Sequence, residues 1–217
     1  MRILLSLALL ATPAFAGSHV LDRPVDQGPP NVPEFQPAFP EQTRAPALAE
    51  PGEVETEVIA SGLEHPWGIA ALPDGGYLVT ERAGRLRMIG ADGTLGPAIA
   101  GVPEVVDRQQ GGMLDVTVAE DFADTRRVWL TYAKSSGFGR SATAAATGVL
   151  SADGARLDEV RDIWVQTPAS LVPAHFGSRI LIEGDMAWIT TGERFTDDLF
   201  ITSSYAVTAS TNSLFFT

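Results

Sequence analysis

Gln110-Gly111-Gly112-Met113-Leu114-Asp115-Val116 opens a series of short apolar stretches separated by turn residues, and it is continued by Asp121-Phe122, Arg127-Val128-Trp129-Leu130-Thr131-Tyr132 and His175-Phe176-Gly177-Ser178-Arg179. Runs of four to eight residues rich in β-branched and aromatic side chains, bounded by Gly, Pro, Asn and Asp, read as strands. Residues 113–119, 127–133, 143–150 and 158–166 give four such runs, and 67–72, 77–82 and 85–89 give three more upstream. Asp-Gly pairs at 74–75, 92–93 and 153–154 tolerate the positive φ angles of tight hairpins. The expected fold is therefore all-β, with sheets built as meanders. Comparable strands begin at Trp67, Met113 and Ser178, 46 and 65 residues apart. That loose repetition suits a propeller with variable loops, and also an open sandwich.

Outward from the strands, the N-terminus has a different character. Arg2 precedes an apolar run over 3–11, and Ala14-Phe15-Ala16 offers a small-residue cleavage site, so residues 1–16 read as a Sec signal peptide. The run is shorter than the roughly 20 residues a membrane-spanning helix requires. A periplasmic or secreted protein without a membrane span is expected. No cysteine is present, so stability must come from packing. Without Arg2, 14 basic residues face 27 acidic ones, a formal charge of −13, which argues against nucleic acid as a partner. Residues 17–52 carry prolines at 24, 29, 30, 33, 37, 40, 46 and 51 and read as an extended leader. The alternative is a strap that docks through Phe35 and Phe39.

Three residues stand out chemically. His175 is a histidine in polar company, and imidazole accepts a proton near neutral pH. Gln110 offers an amide donor and acceptor that do not titrate, while Gly111-Gly112 would let the backbone approach a ligand; the plain alternative is a turn before a strand. Glu193 is a carboxylate able to orient an imidazole, or a surface glutamate at a turn. Arg179 and Asp115 are expected to be structural. The tryptophans at 67, 129, 164 and 188 are expected to fill space between sheets rather than stack on sugar. No cluster with metal-ligand spacing occurs, and no Gly-x-Ser-x-Gly elbow.

From about Val54 to Glu193 these motifs, in this order, resemble the soluble quinoprotein glucose/sorbosone dehydrogenase family, in particular its periplasmic aldose branch. The resemblance implies a six-bladed β-propeller of which residues 53–198 form the N-terminal part, about the first two to three blades. It implies pyrroloquinoline quinone and calcium as cofactors, an aldose sugar oxidised at its anomeric carbon, and an external electron acceptor. It also implies that His175 is the general base, Glu193 its partner and Gln110 a substrate- or cofactor-binding residue. Some relatives carry a polar or acidic residue where this chain has Ala174. Six blades need about 250–300 residues, more than the 217 here. Residues 199–217 contain no charge, glycine or proline and do not align with a further blade. A frameshifted or truncated tail, prone to β-aggregation and leaving the chain inactive alone, is expected there, with an edge strand of the third sheet as the alternative. The competing functional reading is a non-catalytic module that binds a glycan or a protein.

Overall fold

The computed structural model describes residues 54–195 without interruption, together with 20–25, 29, 32–40, 42, 44–48, 204–210 and 213–216. The apolar run at 3–11, the cleavage site expected at 14–16 and His19 lie outside the described residues. The chain divides into two units, residues 1–57 and 58–217. In the first, β1 (Val20–Pro24) pairs antiparallel with β2 (Pro46–Leu48), so the proline-rich leader closes on itself as a two-stranded ladder. Phe35 and Phe39 are both exposed.

The second unit contains three four-stranded antiparallel sheets, each strand paired with the one before it. The first comprises β3 (Pro66–Ala71), β4 (Tyr77–Glu81), β5 (Arg85–Ile89) and β6 (Leu95–Ala98). The second comprises β7 (Met113–Val118), β8 (Arg127–Ser135), β9 (Ser141–Leu150) and β10 (Leu157–Val165), with a single helical turn, α1 (Phe122–Thr125), between β7 and β8. β11 (Ile180–Glu183), β12 (Met186–Thr190), β13 (Ser204–Ser210) and β14 (Ser213–Phe216) form the third. The first strands of the sheets lie side by side, β3 against β7 and β7 against β11, the radial arrangement of successive propeller blades. β6 escapes the periodicity because it follows the Asp92-Gly93 turn and contains Gly96 and Pro97; an edge position tolerates the missing N–H of proline. The uncharged tail contributes β13 and β14, β13 pairing with β12 from Met186 opposite Thr208 to Thr190 opposite Ser204.

Packing follows from the order of the sheets. Leu78, Leu86 and Ile99 meet Met113, Leu130, Tyr132 and Ala144 between the first and second sheets. Trp129, Ala145 and Trp164 meet Ile180, Ala187 and Ile189 between the second and third. The middle sheet is thus covered on both faces, and β9, Ser-Ala-Thr-Ala-Ala-Ala-Thr-Gly-Val-Leu, shows no alternation of burial. Its small side chains leave room for the neighbouring sheets to close in, with Ala144 and Ala146 facing one sheet and Ala145 the other. Of the four tryptophans expected in the core, Trp129 and Trp164 are there, whereas Trp67 and Trp188 are 38% and 44% exposed. Trp188 points away from Ala187 and Ile189, onto the face of the third sheet opposite the second. Trp67 lies under the Arg179 guanidinium, 5.1 Å from ring centroid to Cζ.

The sheets are fastened near their first strands by Asp115. Its Oδ1 accepts a hydrogen bond from Arg179 Nη1 at 2.8 Å and its Oδ2 one from the Ile180 N–H at 3.0 Å, tying β7 to the start of β11. On the other side it abuts Gly68 of β3, where a Cβ would fall 2.8 Å from Oδ1. The structural roles expected for Asp115 and Arg179 agree with this arrangement. Because Asp115 is 5% exposed, Asp115→Ala strips a buried N–H of its acceptor and is expected to cost about 3 kcal/mol. Arg179→Ala leaves the buried Asp115 carboxylate without its cation and is expected to cost a similar amount, about 3 kcal/mol. Urea unfolding of the two variants measures the losses, and losses under about 1 kcal/mol, the size of a surface ion pair, would contradict the assignment of Asp115 as a buried tie between sheets.

Candidate active site

The segment between β10 and β11 carries His175, and the residues after β12 carry Glu193. The hairpin β11–β12 is extended past its last strand pairs by the Gly192 N–H donating to Phe176 O at 3.0 Å. Gly177 and Gly192 make this approach possible: a Cβ on Gly177 would stand 2.6 Å from Gly192 N, and one on Gly192 would collide with the His175 carbonyl oxygen. Two residues eighteen apart are thereby brought together, and His175 Nδ1 meets Glu193 Oε1.

A carboxylate accepts but does not donate, so Nδ1 carries the hydrogen and Nε2 is the nitrogen left with a lone pair. Nε2 has no hydrogen-bond partner among the described residues, and the side chain is 38% exposed. The hydrogen bond from His175 holds the Glu193 carboxyl below its ordinary range. The pair is therefore open to solvent on one edge and tied down on the other, the geometry of an oriented base.

Gln110 joins the pair from the second sheet's side. Its Oε1 accepts the backbone N–H of His175 at 2.8 Å, and its own N–H donates to Pro173 O at 3.1 Å. The amide NH2 of Gln110 is the part left for a ligand. Gly111 and Gly112 both permit close packing of the backbone. A Cβ on Gly112 would strike the Arg82 carbonyl, and one on Gly111 the Val106 carbonyl. The close contact they permit lets the Met113 N–H donate to Arg82 O at 3.0 Å, joining β7 to the first sheet.

Two residues next to Glu193 complete the site and were hidden in the sequence. Arg194 is 1% exposed. Its Nε donates to Ala174 O and its Nη2 to Val172 O, both at 2.8 Å, and its Nη1 to Ser141 O at 3.2 Å; its Cζ stands 3.7 Å above the Phe176 ring. Burial pushes its guanidinium down to about 10, which leaves it charged at neutral pH. It pins the loop leading into His175 to the residue following Glu193. Phe195 then turns back so that its ring stacks on the imidazole, with centroids 3.7 Å apart and planes at 28°. An arginine and a phenylalanine after the last alternating strand residue carry no signal that separates them from a solvated loop.

A cleft of about 800 Å³ lies elsewhere, at the far ends of β7 and β11, lined by Trp129, Ile163, Ile182 and Met186 with Arg127 and Glu120. It contains none of the three candidate residues.

The family model described as Glucose / Sorbosone dehydrogenase matches residues 63–209. The chain is similar to aldose sugar dehydrogenase YliI of Escherichia coli (strain K12), 41% identical over 137 residues that make up 63% of this chain and 37% of that protein. Among solved structures it resembles the soluble aldose sugar dehydrogenase from Escherichia coli in its apo-form, at 35% identity and a TM-score of 0.66, covering 70% of this chain and 46% of that one. It also resembles the PQQ-bound form of aldose sugar dehydrogenase from Streptomyces coelicolor, at 25% identity and a TM-score of 0.56, covering 64% and 41%. The chain spans less than half the length of each of these relatives.

Two outcomes are expected of the site residues. Arg194→Met removes the donors to three backbone carbonyls and is expected to destabilise the fold by about 3 kcal/mol, at about 1 kcal/mol or more for each carbonyl left without a partner; thermal and urea unfolding measure it. For Glu193, whose folded value is depressed, the stabilisation is complete above the ordinary glutamate range and is lost as pH falls through the lowered value. A ¹³C titration of its carboxyl is expected to give a midpoint below that of a free glutamate. In His175→Ala the midpoint should return upward; no movement would show that the imidazole is not its partner.

Proposed function

We propose, from the premise that this chain belongs to the glucose/sorbosone dehydrogenase family, that it supplies the proton-handling part of an aldose dehydrogenase dependent on pyrroloquinoline quinone. The observation that carries this reading is His175, with Nδ1 committed to Glu193 and Nε2 open at an exposed edge. In this reading Nε2 accepts the proton of the anomeric hydroxyl. Glu193 stabilises the imidazolium that results, and the Gln110 NH2 holds a neighbouring sugar hydroxyl. The quinone, when bound, takes the two electrons that leave the anomeric carbon as hydride.

The described residues fit the substrate side of this chemistry better than the cofactor side. A quinone bearing several carboxylates calls for cations, yet Arg194 is turned inward onto backbone carbonyls and Arg179 is held by Asp115. The positions that hold the quinone and its calcium, and those that select the sugar and the external electron acceptor, are accordingly assigned to no residue here. Export as a periplasmic or secreted protein, guided by residues 1–16, is part of the same proposal.

A second reading, a module that binds glycans without redox chemistry, draws on Leu181 and Trp188. They are opposite one another on β11 and β12 and 60% and 44% exposed. Titration of the quinone with the protein separates the two: a change in quinone absorbance supports the dehydrogenase, and glycan binding without one supports the module.

With quinone and calcium added, the 217-residue polypeptide alone is expected to give no sugar-dependent reduction of an artificial acceptor, because the matched segment covers less than half of each relative. Substituted for the matching segment of the Escherichia coli aldose sugar dehydrogenase, residues 63–195 are expected to support turnover. In that chimera His175→Ala should lower kcat by about 10²–10⁴, the usual contribution of a positioned base. Full activity in the His175→Ala chimera would remove His175 from the role.

A further inference from the structure

Phe195 is 59% exposed and belongs to none of the apolar clusters, so burial does not explain where it sits. Its backbone does not explain it either. Arg194 and Phe195 adopt φ of 62° and 52° in succession, a region that bulky residues rarely visit. That turn follows Glu193 and lays the phenyl ring over the imidazole. Arg194 holds the turn from inside, through its bonds to Ala174 O and Val172 O. Exposed placement, two consecutive left-handed residues and a ring stack thus converge on one atom group, the His175 side chain.

We propose that Phe195 is a positioning residue for His175, fixing the plane of the imidazole so that Nε2 is the nitrogen presented outward. This rests on the reading of His175 as the base. A hydrogen bond at Nδ1 holds one corner of the ring but leaves it free to tilt, and the last torsion of histidine is broad. A phenyl ring stacked at 3.7 Å removes the tilt, because rotating the imidazole out of plane drives its edge into the phenyl face. Two constraints are then enough: the stack selects the plane and Glu193 selects which nitrogen lies inside. The quadrupole of the phenyl face also attracts a cation, so the stack persists after the imidazole has taken up a proton.

The chain has three histidines, so His175 is identified in ¹H–¹⁵N imidazole spectra of the 217-residue polypeptide by comparison with His175→Gln. The unaltered protein is expected to show His175 as a single tautomer protonated at Nδ1, with ring protons shifted upfield by the neighbouring phenyl. Phe195→Leu should lose that shift and, with the ring free to tilt away from Glu193, show the Nδ1–H signal broadened by exchange with water, while Phe195→Tyr should restore the shift and the sharp signal. The backbone amide spectrum of the second sheet serves as the check that each variant is folded. An Nδ1–H signal in Phe195→Leu as sharp as in the unaltered protein would overturn the proposal and leave the base reading standing. An Nε2-protonated tautomer in the unaltered protein would overturn both.

Discussion

The Asp115 carboxylate is the point on which the three sheets converge. Its two oxygens are taken by Arg179 and by the Ile180 N–H, its flank rests on Gly68, and Arg179 in turn lies over Trp67. A charge buried at this depth is tolerated because both oxygens are bonded, one of them to a cation. The same contact fixes where β11 begins, and with it the angle at which the preceding loop delivers His175. Thr80 contributes a parallel tie, accepting the Gly68 N–H at 2.8 Å and donating to Leu114 O at 2.5 Å. Polar atoms on the innermost strands thus set register, while the apolar clusters further out supply area.

The candidate site is assembled across a seam. His175 and Glu193 flank one hairpin of the third sheet, and Gln110 precedes the first strand of the second. The pair itself depends on two glycines, Gly177 and Gly192, whose lack of side chains lets the flanking segments touch. Arg194 joins the loop before His175 to Ser141 at the start of β9, so His175 is referenced to the middle sheet as well as to its own. Positional precision in this chain comes from backbone carbonyls and amides held by a few side chains rather than from the reactive groups themselves.

Strand positions were legible in the sequence because the turns are chemically explicit: Gly75, Gly93 and Gly154 of the three Asp-Gly pairs all have φ between 71° and 87°. β6 was missed since glycine and proline outweigh its pattern, although an edge strand accepts both. Trp67 and Trp188 were misplaced because strand alternation says which residues share a face but not which face is covered. In the site, His175, Glu193 and Gln110 were marked by a likeness to known motifs. Arg194 and Phe195 were not, because their roles arise from a turn of two left-handed residues that local composition does not encode.

β9 limits what the lineage of this protein can change. Its alanines at 142, 144, 145 and 146 are at most 1% exposed, and those at 144–146 pack against the sheets on either side. A methyl group gained there cannot be accommodated by one neighbour alone, and separating the sheets also moves Gln110 relative to His175 across the seam. The open stretch around Gly137, Phe138 and Gly139 carries no such restriction. Substitution is thereby tolerated in such loops, while the packing that holds Gln110 beside His175 rests on a strand with no room for larger side chains.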